Sequence, residues 1–114
     1  MNDCLFCKIA DGRIPARLVH QDKDIVAFED IDPQAPLHVL VMPRRHVATV
    51  NELGRDDDQV MGKLFRVAAS LAREKGYAGS GYRMVMNTNA DAGQVVFHVH
   101  LHVLGGRPMG WPPG

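Results

Sequence analysis

Along the chain, apolar residues come in short clusters broken by polar turns, until one long stretch changes period. Residues 4–9 mix apolar positions with Lys8 and stop at Asp11-Gly12, which suits a short helical turn or an irregular arm. Residues 16–20 and 25–31 predict two strands, separated by the polar turn Gln21-Asp22-Lys23-Asp24. The prolines at 33 and 36 cannot continue a ladder, so residues 32–36 form a turn. Residues 37–42, rich in Val and Leu, predict a mostly buried third strand, closed by Pro43-Arg44-Arg45-His46. Residues 47–53 have room for one or two helical turns before Gly54.

From about Asp56 the spacing becomes helical. Val60, Leu64, Val67, Ala68 and Leu71 recur on one face, with acids in the first turn, Arg73 and Lys75 in the last, and Gly76 as the stop. Residues 81–87 predict a fourth strand and residues 95–104 a fifth. They are joined by residues 88–94, rich in Asn, Asp and Gly, as a loop with exposed amides. The pattern implies an α+β fold: a five-stranded, mainly antiparallel sheet with one long helix on one face and a short helix elsewhere.

A length of 114 residues allows one compact domain, residues 1–114, in which 107–114 form a proline-rich tail carrying the only tryptophan. Thirteen basic and thirteen acidic side chains cancel, so no net field favours long nucleic acid or an anionic membrane. No apolar run approaches the roughly 20 residues that span a bilayer, and the start, Met1-Asn2-Asp3-Cys4, lacks the pattern of a signal peptide. A cytoplasmic location is the expectation. There, Cys4 and Cys7 point away from a structural disulfide.

Six histidines change the picture most. In Phe97-His98-Val99-His100-Leu101-His102-Val103-Leu104, imidazoles alternate with aliphatic side chains, and positions two apart on a strand share a face. A regular strand would project His98, His100 and His102 the same way, roughly 6.5–7 Å apart, with Val99, Leu101 and Val103 turned into the core. Three uses compete: a polar solvent-facing strand, a metal site, and nucleophilic or acid–base work near neutral pH.

His-x-His-x-His with apolar residues between resembles the signature of the histidine-triad superfamily. The resemblance extends over nearly the whole chain, through Phe28-Glu29-Asp30-Ile31, Pro33-Gln34-Ala35-Pro36-Leu37-His38, the loop 87–94 and the tail Trp111-Pro112-Pro113-Gly114. The tail is similar to the Hint branch, the histidine-triad nucleotide-binding proteins. The resemblance implies a purine nucleoside phosphoramidase that cleaves AMP or GMP from an amine through a covalent nucleotidyl-histidine. His100 would be the nucleophile, its other ring nitrogen fixed as N–H by a backbone carbonyl. His102 would bind the phosphate oxygens, with His98 and His38 supporting strand and pocket. No cofactor is implied for this step.

By the same resemblance, Asp30 would hold the ribose hydroxyls, with a turn aspartate before Asp32-Pro33 as the alternative reading. Leu5, Phe6, Ile9, Phe28 and Ile31 would clamp the base, or be ordinary core. Asn87 and the Gly93 amide would meet phosphate, beside Gln94 and Val95, with Trp111 also at the nucleotide site. The chain departs from the family at Val95, where a serine is usual, and at Gly110, where similar proteins often have histidine. Cys4-x-x-Cys7 is half of a zinc site. Bacterial relatives complete it with histidines that match His46 and His98, which would make a structural zinc; the alternative is two reduced cysteines packed near the base pocket. A homodimer with a continuous sheet is implied, each tail reaching its partner's site and Trp111 touching the other subunit. Two other readings stay open: a non-catalytic purine nucleotide sensor or scaffold, and a metal-binding protein built on the histidine strand.

Overall fold

Alternation decides which way each strand faces, and the computed structural model, which describes residues 3–114, shows two apolar faces used at once. The strands are β1 (Leu18–Gln21), β2 (Ile25–Glu29), β3 (Leu37–Pro43), β4 (Tyr82–Val85) and β5 (Leu101–Gly105). They form one antiparallel sheet in the order β1-β2-β3-β5-β4. On one face Ile25, Ala27, Val39, Val41, Leu101 and Val103 pack against Leu64, Val67, Ala68, Leu71 and Ala72 of α2 (Asp58–Glu74). On the other, Val26, Phe28, Leu40 and Met42 pack against Phe6 and Ile9 of α1 (Leu5–Ala10). Covering both faces is why β3 is buried along its whole length and reads as a continuous apolar run.

The arm at residues 4–9 is thus a short helix, and residues 47–53 contain a single 3-10 turn, Val50–Glu52. A second 3-10 turn, Arg55–Asp57, leads into α2. The loop after β4 contains one helical turn, α3 (Asn89–Ala92). Arg107 Nε donates to Gln34 O at 2.9 Å, and Arg83 Nη2 to Gly110 O at 2.9 Å, laying the tail beside the β4 edge. Gly106 has a φ of +94°, and a Cβ there would come within 2.8 Å of Pro36 Cβ, so both backbone and space demand glycine. Among the described residues no helix is long and apolar enough to cross a membrane.

The last strand corrects the sequence expectation. It starts at Leu101, and residues 95–100 run outside the ladder. Their polar groups have other partners: Val99 N–H donates to Val47 O at 2.7 Å, and His98 O accepts from the ring of His100. A regular strand would have spent those groups on neighbours in the sheet. His98 and His100 therefore lie on an irregular approach to β5, and only His102 lies within it.

Candidate active site

His100 and His102 line a cavity of about 430 Å³ on the α1 side of the sheet. His100 Nδ1–H donates to His98 O at 2.7 Å. A neutral ring held that way keeps its lone pair on Nε2. Phe6 meets the same ring edge-on, with centroids 4.9 Å apart. Burial lowers the His100 pKa below its usual value, so the ring is neutral at pH 7.

The proton positions on the neighbouring pair follow from one unambiguous donor. Gln34 N–H donates to His38 Nδ1 at 3.0 Å, so the proton of a neutral His38 sits on Nε2. That N–H lies 2.9 Å from His102 Nδ1 and 3.4 Å from Asp30 Oδ2. His102 Nδ1 accepts, and His102 carries its own proton on Nε2. Burial pulls the His102 pKa down to about 4, helped by the His100 and His38 rings and opposed by Asp30. His38 is also lowered by burial, against the pull of Asp30 and Asp32. Rings of His100 and His102 sit 5.0 Å apart. One presents a lone pair and the other an N–H in the same cavity wall.

His98 does not join them. Its ring is fully buried, with Nε2–H donating to Pro43 O at 2.7 Å. Its Nδ1 lone pair faces Cys4 Sγ at 3.5 Å, Cys7 Sγ at 3.5 Å and His46 Nδ1 at 3.3 Å. Cys7 Sγ lies 3.4 Å from His46 Nδ1. Tetrahedral zinc, with bonds of about 2.3 Å to sulfur and about 2.0–2.1 Å to nitrogen, has S···N edges of about 3.5 Å and N···N edges of about 3.3 Å. Those four distances match these edges, and all four donor atoms lie within 4.8 Å of one another, which fits zinc. A second group, Asp30, His38 and His102, is close-set too, but it is already joined by the hydrogen bonds just described. Among the described residues the three alternating histidines do not converge on a common point, so the geometry lacks a metal site made of all three.

A family model described as the HIT domain matches residues 11–109. The chain belongs to this family. It is 45% identical over 108 residues to the purine nucleoside phosphoramidase of Escherichia coli strain K12, covering 95% of this chain and 91% of that protein. The crystal structure of a HIT family hydrolase from Legionella pneumophila superposes with a TM-score of 0.97 at 52% identity, covering 98% of this chain and all of that one. A histidine triad nucleotide-binding protein from Candida albicans gives a TM-score of 0.82 at 30% identity, over 96% of this chain and 83% of that one.

Within this HIT chain, Leu5, Phe6, Ile9, Phe28, Asp30, Ile31, Asn87, Gly93, Gln94 and Val95 all border the cavity with His100 and His102. Trp111 does not; it is 83% exposed and lies outside the cavity of its own chain. The Gly93 amide also departs from expectation, because it donates to Ala90 O at 2.9 Å as the cap of α3, with φ +82°. Gln94 spends its side chain on the loop, accepting from Asn89 N–H and donating to Ala48 O, both at 2.8 Å. Asp30 does serve as a turn aspartate, accepting from Asp32 N–H at 2.8 Å through Oδ1. Its Oδ2 faces His38. The sequence reading missed Ile14, Pro15, Ala16, Leu40 and Val96, which complete the apolar wall. Leu40 was readable from its parity with His38 and Met42. Ile14-Pro15-Ala16 carried only an apolar trio in a connector.

Proposed function

We propose that the protein is a purine nucleoside phosphoramidase, a hydrolase that releases AMP or GMP from an amine through a nucleotidyl-His100 intermediate. The observation that carries this reading is the 2.7 Å bond from His100 Nδ1–H to His98 O, in a neutral ring lining the cavity. It leaves Nε2 as a nucleophile that needs no prior deprotonation. Nε2 attacks phosphorus as the P–N bond to the amine breaks, and the departing nitrogen takes a proton from solvent to leave as a neutral amine. His102 Nε2–H, set by the Gln34–His38 chain, donates to the phosphoryl oxygens as negative charge builds. Water then cleaves the P–N bond to His100, returning the neutral ring and the nucleotide.

The base fits the apolar end formed by Leu5, Phe6, Ile9, Ile14, Phe28 and Leu40, and the ribose hydroxyls fit Asp30. The Asn87 carboxamide and the Val95 N–H supply phosphate donors that no other group among the described residues occupies. Val95 brings no side-chain hydroxyl, so the leaving group receives no help from this position. Cys4, Cys7, His46 and His98 would hold a structural zinc, which supplies a crosslink between α1 and the sheet and takes no part in the chemistry. A homodimer, with Trp111 on the partner's surface, accounts for so exposed an indole, and the cytoplasm is the compartment in which it would act.

The test is to incubate purified protein with an AMP phosphoramidate of a primary amine, with and without chelator, and follow AMP release. At saturating substrate, the account expects turnover that survives chelation and disappears in His100→Ala. Tight AMP binding without turnover would favour the non-catalytic sensor instead.

A further inference from the structure

We propose that Cys4, Cys7 and His46 are positioning residues for nucleotide binding: with His98 they hold a metal ion that fixes α1 as the wall of the base pocket. The inference rests on the nucleotide-hydrolase reading and on the zinc fit of the four donors. Both thiols flank the first turn of α1, and the other two donors come from the exit of β3 and the approach to β5. α1 has only six residues, far below the length at which a helix stands alone in water. Leu5, Phe6 and Ile9, on that helix, all face the cavity. Its far end is tied by Arg44 Nη1, which donates to Ala10 O at 2.9 Å. Its near end meets the body of the protein at the four-donor cluster.

The cluster lies one step from the nucleophile as well, since the carbonyl that orients His100 belongs to His98. That carbonyl has independent support. His98 Nε2–H is bound to Pro43 O, and the next N–H, of Val99, to Val47 O. Freeing α1 therefore loosens the base wall while leaving His100 oriented. Binding of the nucleotide should suffer, and the chemical step should not. A cluster that only stabilised the fold would move the melting temperature and leave both alone.

The experiment compares full-length protein loaded with one zinc per chain, the same protein stripped by chelator, and the stripped protein reloaded. Calorimetry with AMP, steady-state kinetics and hydrogen exchange of residues 4–10 are read on each. Stripping is expected to weaken AMP binding and raise KM about tenfold, with kcat changed less than about twofold, and to speed exchange in α1 alone. Reloading restores all three. His46→Ala should behave as the stripped protein, and His46→Cys, which keeps four donors, as the loaded one. Unchanged AMP affinity on stripping, a failure to take up zinc, or global unfolding on metal loss would each overturn the proposal. If the loaded protein binds no AMP at all, the nucleotide reading fails, and exchange in α1 still decides the clamp on its own.

Discussion

At the scale of single residues, the cavity separates two neutral imidazoles into complementary roles by what holds their other nitrogen. A carbonyl on His100 Nδ1 leaves a lone pair, and an N–H on His102 Nδ1 leaves a donor. Replacing His38 with alanine removes the group that sets the His102 tautomer. The expected result is a fall in kcat on the order of 10²-fold with AMP affinity little changed, measured by kinetics and calorimetry. The pH profile follows from burial. His102, with a pKa lowered from 6.5 to about 4, stays neutral well below pH 6, and burial lowers His100 as well, so activity should persist below pH 6.5 before falling as the rings protonate. The same shift costs stability in acid. Below pH 6.5 the unfolded chain takes up a proton that folded His102 refuses, so stability is full above 6.5 and declines as the pH falls towards 4. Melting temperatures across that window should drop, and drop less in His102→Asn.

At the scale of elements, α1 and the turn at Gly93 border different parts of the cavity, and in the proposed reading they hold the base and the phosphate. Phe6 is buried against Phe28 and His100, with ring centroids 5.2 and 4.9 Å away. Phe6→Ala should cost about 3 kcal/mol in denaturant unfolding and weaken AMP binding as well. The sheet and α2 were legible in the sequence because their apolar periods are long and regular. The approach to β5 was not. Residues 95–100 alternate as a strand does, and what breaks the ladder there is a set of tertiary bonds, to Val47 O and Pro43 O, that no local pattern announces. The same bonds turn His98 out of the cavity, which is why three alternating imidazoles did not become three on one wall. By resemblance the Gly93 amide meets phosphate, whereas its positive φ serves first to end α3. The cysteines could be joined to His46 and His98 only by resemblance, because sequence spacing says nothing of a contact across 94 residues.

For the whole molecule, the chain's two apolar layers make its architecture self-consistent, yet a large indole at the tail remains 83% exposed. A homodimer that buries it predicts a sedimentation mass of twice the chain, with Trp111→Ala weakening association. A stable monomer at micromolar concentration would remove the dimer while leaving the chemistry intact. The chemistry itself is tested most directly by trapping. Turnover of an AMP phosphoramidate is quenched in alkali, where a phosphohistidine-type bond survives, and the digested protein is analysed by mass spectrometry. The account predicts one adenylyl group on the peptide containing His100, located at that residue and missing from His100→Ala. Turnover with the adduct on another residue, or a His100→Ala variant that still hydrolyses the substrate, would contradict it.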